Sequence, residues 1–178
     1  MVQAGSMGIP FAPVLGLAGS DLYARRDDVT MAPNPFDPEE EVVIVRALNP
    51  DVAILHATKA DRTGNALLRW HPDNEDLQVA RASRRVIITA EEIVDEVSHR
   101  DPSGVYIPTI NVSAVVHTPG GAHPTGVTGL YDMDKEQIME YQRCSVSDEE
   151  FKKYLDKYVY GVTEEEYANR FGPLAVRA

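Results

Sequence analysis

Val52-Ala53-Ile54-Leu55 is a short apolar run with no polar alternation. A strand of that composition needs cover on both faces, unlike a half-exposed strand, which alternates. Two further runs of the same kind flank it, Val42-Val43-Ile44-Val45 before it and Val86-Ile87-Ile88 after it. Asp61-Arg62-Thr63-Gly64-Asn65 reads as a hairpin-like turn leading into Ala66-Leu67-Leu68. Glu75 to Arg84 reads as a helix, with Leu77, Ala80 and Arg81 at helical spacing. The order strand, helix, strand with doubly apolar strands predicts an α/β sheet.

Outward from this centre the signals are mixed. Met1 to Met7 is small and reads as unstructured, and Gly8-Ile9-Pro10-Phe11-Ala12-Pro13-Val14-Leu15 reads as extended, because proline biases its predecessor away from helix. Residues 23–41 read as a surface loop: Pro33, Pro35 and Pro38 interrupt it, leaving room for a short strand at Val29-Met31. Thr89-Ala90-Glu91-Glu92 has the spacing of a capping box and predicts a short helix through Ile93, Val94 and Val97. His99 to Pro108 reads as loop and Val112 to Val116 as strand. Thr118-Pro119-Gly120-Gly121-Ala122-His123-Pro124 is too rich in Gly and Pro for regular structure. Two more capping signals, Ser147 with Glu150 and Thr163 with Glu166, open helices near the end. Phe151, Tyr154, Leu155, Tyr158 and Val159 form an apolar stripe that suits core packing or a subunit contact, and Gly161 stops it.

The chain has 178 residues, 43% hydrophobic and 25% charged, which fits one domain with its own core. Its formal net charge of -11 argues against nucleic-acid binding, which needs a basic surface. A small anionic ligand stays compatible, since a local basic pocket can sit on an acidic protein. Cys144 is the single cysteine, so no intrachain disulfide or cysteine metal cluster can form, and a reduced cytoplasmic setting is expected. No apolar run reaches the length of a membrane span, and no secretory leader pattern is expected.

Few residues stand out as chemistry. His56, His71, His99, His117 and His123 have no metal-ligand spacing, so no metal is expected. His56 follows an apolar run and reads as a satisfied strand-end histidine. His123 sits in the Gly/Pro loop after a strand, where α/β sheets place ligands, yet its ring can equally order that loop by hydrogen bonding to backbone. Asp134 reads as a helix N-cap, not as half of a cation site with Asp132. Gly16-Leu17-Ala18-Gly19-Ser20 lacks the Lys and the flanks of a phosphate loop, and no nucleophile elbow is present. Gly64 and Asn65 suit a tight turn for backbone reasons alone. Arg62 in that turn adds a group able to bind a carboxylate or phosphate.

Several segments taken in order resemble the A (alpha) subunit of family I coenzyme A-transferases, in particular its glutaconate CoA-transferase branch. The segments are Gly8-Ile9-Pro10-Phe11-Ala12-Pro13-Val14 with Leu17-Ala18-Gly19-Ser20-Asp21-Leu22, then Ala47 to Ala57, Ala60-Asp61-Arg62-Thr63-Gly64-Asn65-Ala66, Val86 to Val94, Gly121-Ala122-His123-Pro124 and Tyr154 to Val162. Each is weak alone, but together they spread from Gly8 to Tyr167. The resemblance implies an open, mostly parallel sheet with flanking helices, in a single domain of the alpha-subunit kind over 1–178 that lacks the family's N-terminal half. The implied partner is a B subunit, and a separate N-terminal piece of the alpha subunit would be a further one. Acyl-CoA, CoA and a carboxylate would be substrates, and no cofactor would be tightly bound.

The family's nucleophile is a glutamate on the B subunit, so no catalytic residue is expected here. Glu91, Glu92, Glu149, Glu150, Glu164, Glu165 and Glu166 are read as helix caps and polar faces. Gly19, Ser20, Asp21, Arg62, Asn65 and His123 are the residues expected around the substrate. The alternative functions are part of a hydrolase for a CoA-linked substrate, and a structural or interaction role without catalysis.

Overall fold

The computed structural model describes residues 1–70 and 75–172, so His71 lies outside the described residues. Two sheets form. The smaller is antiparallel, ordered β1 (Phe11–Val14), β3 (Asp37–Arg46), β2 (Val29–Asn34). The larger contains β4 (Val52–Asp61), β5 (Ala66–Arg69), β6 (Arg85–Val94), β7 (Gly104–Ile107) and β8 (Ala114–His117), in the order β7-β5-β4-β6-β8. β4, β6 and β8 run parallel, while β5 and β7 extend the sheet antiparallel. The α/β class expected from the apolar runs therefore forms, with a mixed open sheet. Helices α1 (Val2–Ser6) and α3 (Asp76–Ala82) pack on each other. Helices α4 (Lys135–Cys144), α5 (Asp148–Leu155) and α6 (Glu164–Arg170) follow the sheet, and the short α2 (Asp21–Ala24) joins β1 to β2.

One face of the larger sheet carries the core. Ala53, Leu55 and Ala57 of β4 and Val86, Ile88 and Ala90 of β6 are buried there beside Ala80, Leu68 and Ile107. The in-register pairs Ile54↔Ile87 and His56↔Thr89, continued to Ala114 and Val116 on β8, project from the opposite face. Much of that face is bare: Ile54 is 69% exposed, with Val52 and Val116 also exposed. The apolar runs thus are strands, but only one face is covered within this chain.

Four expectations are corrected. Residues 23–41 are not a loop: β2 and the start of β3 make a hairpin. The prolines are tolerated because β2 is an edge strand and Pro38 falls where the register shifts near Pro33 and Asn34. Thr89 to Val94 is strand and not helix, because β6 continues in parallel register with β4 as far as Asp61↔Val94. That pairing overrides a local capping pattern. The stretch His99 to Pro108 includes β7, paired with β5 from Ala66↔Ile107 to Arg69↔Gly104. Met1 to Met7 is largely helix α1. Gly5 makes its close packing possible, since a Cβ there would meet the Leu48 carbonyl oxygen at 2.2 Å.

The C-terminal helices follow their signals. Ser147 accepts from the Glu150 amide, and Thr163 with Glu166 forms a complete capping box. Tyr154 and Tyr158 are buried and join Tyr141, Phe151 and Phe171 in an aromatic cluster, with ring centroids 4.7 Å apart for Tyr154–Tyr158. Val159 of the same stripe is 53% exposed. Residues Asp156–Tyr160 form a π-helical turn before Gly161, and the wider turn shifts the helical phase.

Candidate functional site

Two recesses border the parallel strands. The smaller is a cleft of about 450 Å³ between the Asp61–Gly64 turn, Ile93 of β6 and the chain from Val112 to His117. The larger is a cavity of about 690 Å³ between the loop after β8 and the C-terminal helices. His117 lines both.

The turn that bounds the cleft is built on Asp61, whose role has no local signature in the sequence. Asp61 is 1% exposed. Its Oδ1 accepts from the Thr63 amide and hydroxyl at 2.9 and 2.6 Å and from the Asn65 amide at 3.0 Å. Its Oδ2 accepts from the Asn65 side-chain amide at 2.9 Å and the Val97 amide at 3.1 Å. Burial alone would raise its pKa, but the hydrogen bonds from Thr63, Asn65 and Val97 outweigh that and hold the carboxyl well below the usual range. Asn65 ties the turn outward, its Oδ1 accepting from the Tyr106 hydroxyl at 2.7 Å and the Thr109 amide at 3.0 Å. Gly64 has φ +102°, and a Cβ there would meet Thr109 Oγ1 at 2.9 Å, so glycine is required. Asn65 therefore holds the turn and Arg62 is displayed by it, exposed at the cleft.

His123 lies at the other recess. Its side chain is 3% exposed, with Nδ1 2.8 Å from the Tyr167 hydroxyl and Nε2 3.6 Å from Asp134 Oδ2. Tyr167 in turn accepts from the Gln137 side-chain amide at 3.0 Å. Burial lowers the His123 pKa against the opposing pull of Asp134. The ring thus pins the Gly/Pro loop to α4 and α6 through side chains, where backbone partners were expected. Asp134 is the N-cap of α4, accepting from the Gln137 amide at 2.9 Å.

Glu91 is not the helix-cap residue that its local pattern suggests. It lies in β6, its side chain only 10% exposed. Its Oε1 accepts from the Tyr131 hydroxyl and lies 2.8 Å from His56 Nε2, and its Oε2 accepts from the Gly120 amide at 2.7 Å. A carboxylate only accepts, so Nε2 of His56 carries a proton, and in the neutral ring Nδ1 accepts from Thr89 Oγ1 at 2.8 Å. Burial and the Glu91 contact push the Tyr131 hydroxyl pKa up. Donors on both oxygens make this carboxylate an anchor for the loop and a weak nucleophile. The strand period offered a clue, since Thr89 and Glu91 share the face of His56 once β6 is read as strand.

Gly19, Ser20 and Asp21 are elsewhere and line neither recess. Gly19 takes φ +70°, and Ser20 caps α2 by accepting from the Tyr23 amide at 3.2 Å. Asp21 begins that helix. No group of His, Cys, Asp and Glu able to hold a metal occurs among the described residues, and no helix among them is long and apolar enough to cross a membrane.

Comparison with known proteins agrees with the fold. The family model described as Coenzyme A transferase matches residues 1–118. The chain is 37% identical over 161 residues to the alpha chain of the 3-oxoadipate CoA-transferase of Pseudomonas knackmussii, covering 90% of this chain and 56% of that one. It superposes on the crystal structure of glutaconate coenzyme A-transferase from Acidaminococcus fermentans with a TM-score of 0.87 and 34% identity, covering 96% of this chain and 59% of that one. The crystal structure of a variant of the decarboxylase AibA/AibB is also similar, with a TM-score of 0.74 and 36% identity over 89% of this chain and 57% of that one. The chain therefore spans little more than half the length of these relatives. With the family pattern running from the first residue through β8 and the shared fold continuing into the C-terminal helices, this chain belongs to the coenzyme A transferase family.

Proposed function

We propose that the chain works as an alpha-type subunit of a CoA-transferase, moving coenzyme A between carboxylic acids. The observation that carries this reading is the superposition on glutaconate coenzyme A-transferase over 96% of the chain. A B-type partner supplies the nucleophilic glutamate. Its carboxylate attacks the acyl-CoA thioester carbonyl, giving a mixed anhydride and releasing CoA thiolate. The thiolate attacks the glutamyl carbonyl, forming a glutamyl-CoA thioester and expelling the first acid. The same steps in reverse load the second acid. CoA is substrate and no other cofactor is needed.

This chain supplies surroundings. Glu91 is engaged by donors on both oxygens, which fits a nucleophile from elsewhere. Arg62 faces substrate on the turn held by Asp61 and Asn65, and His123 holds the loop beside the larger cavity. Gly19, Ser20 and Asp21 reach substrate or partner only in the assembled complex. The bare apolar face around Ile54 and Val116 fits burial by the remainder of that complex, including polypeptide equivalent to the rest of the relatives' alpha chain. A cytoplasmic setting, with Cys144 reduced, accompanies this reading.

The test is co-expression with a B-type partner, purification of the complex, and incubation with an acyl-CoA and an isotopically labelled acceptor acid. Label recovered as the CoA ester supports transfer. Free CoA released without a labelled ester would instead make the complex a hydrolase.

A further inference from the structure

The cleft beside the Asp61–Gly64 turn holds a cation that nothing in the fold uses. Arg62 makes no ion pair or side-chain hydrogen bond among the described residues, although the chain carries 28 acids against 17 Lys and Arg. Its sequence neighbour Asp61 does not neutralise it by direct contact, because that carboxylate is taken up by Thr63, Asn65 and Val97. The turn is also fixed far beyond what a chain reversal needs. Asp61 holds it from inside, and Asn65 and Thr109 lock it to β7 and the segment after it. A rigid platform that presents one unpaired guanidinium is the form of a preorganised anion site.

The rest of the lining gives the shape of the ligand. Ile93, Val112, Ala114 and Val115 supply apolar wall, and His117, which also has no side-chain hydrogen bond or ion pair among the described residues, supplies a second polar group. A volume of about 450 Å³ suits a short carbon chain. We propose that this cleft is a subsite for a short dicarboxylic acid, with Arg62 binding the carboxylate that does not react with CoA. The inference rests on the transferase reading, in that the other carboxylate is the one exchanged. The planar guanidinium matches a carboxylate in two parallel hydrogen bonds, and the apolar wall takes the methylene groups.

The site is tested by equilibrium binding of glutarate, with its neutral diamide as control, to the full chain together with whatever subunits co-purify. Wild type should bind glutarate and bind the diamide on the order of tenfold or more weakly, as expected for loss of a charge-assisted hydrogen bond. Arg62→Gln should lose glutarate by a similar factor with an unchanged melting temperature, since the side chain is exposed. Equal binding of glutarate by wild type and Arg62→Gln, or no binding by wild type, overturns the subsite. Tighter binding of adenosine 3′,5′-diphosphate through Arg62 also overturns it, making the cleft a phosphate site. Turnover plays no part in this measurement. A protein that hydrolyses thioesters but binds glutarate through Arg62 retains the subsite and loses the transferase reading. Transfer activity with glutarate binding indifferent to Arg62 does the reverse.

Discussion

Glu91 accepts the amide of Gly120 at 2.7 Å, joining the end of one parallel strand to the first glycine of the loop that leaves the next. The same carboxylate receives the Tyr131 hydroxyl and His56. Replacing it by alanine leaves three donors without an acceptor in a nearly closed site. Glu91→Ala should cost about 2–3 kcal/mol of stability, while Glu91→Gln, which keeps one accepting oxygen, should cost less. Hydrogen exchange at Gly120 should rise in both variants. Unchanged protection there would show that the loop is held by other contacts.

Asp61 contributes to stability through its charge. Its carboxyl titrates well below the ordinary 3.8 in the folded chain. A depressed native pKa gives stability that is fully present above the unfolded value and is lost as pH falls through it toward the native value. Asp61→Asn should destabilise by about 3 kcal/mol at neutral pH, because its amide group presents donors to donors. It should also flatten the loss of stability below about pH 4. Chemical denaturation at a series of pH values measures both effects.

His123 should act mainly on folding. Burial lowers its pKa below 6.5. The unfolded chain therefore takes up a proton that the folded one resists, and stability declines as pH falls below about 6.5. His123→Ala should remove that slope and cost about 1–2 kcal/mol at pH 7.5, as the Tyr167 hydroxyl loses its acceptor. A variant with wild-type melting temperature and lower turnover in the assembled complex would instead place the ring in catalysis.

Gly64→Ala should disturb the Arg62 platform without touching Arg62. Its φ of +102° strains any L side chain, and the new Cβ would press on Thr109 Oγ1. The expected cost is about 1–3 kcal/mol. Gly16→Ala, where a Cβ has open space, is the control and should melt close to wild type.

The centre of the fold was legible because β4 and β6 announce themselves by composition. Val52 to Leu55 and Val86 to Ile88 are apolar without alternation, and that pattern is local. The turn at Asp61–Asn65, the N-caps at Asp134, Ser147 and Thr163 and the stop at Gly161 were legible for the same reason, as each is satisfied within a few residues. The segments quoted from Gly8 to Tyr167 were likewise enough to place the chain in its family. What failed was whatever depends on a distant partner. Residues 23–41 became a hairpin because β3 pairs with both β1 and β2, and Thr89 to Val94 became strand because β4 lies alongside.

The site divides in the same way. By itself the sequence determined the strands, the turn that carries Arg62 and the Gly/Pro loop that carries His123. Only the tertiary structure decided that Asp61 is the buried hub of that turn, and that Glu91 binds the loop in place of capping a helix. It also decided that one face of the apolar strands stays bare. The physical reason is that burial and hydrogen-bond satisfaction are properties of packed neighbours far apart in sequence. Residues 61 and 97, or 91 and 120, meet only after the parallel strands have set their register.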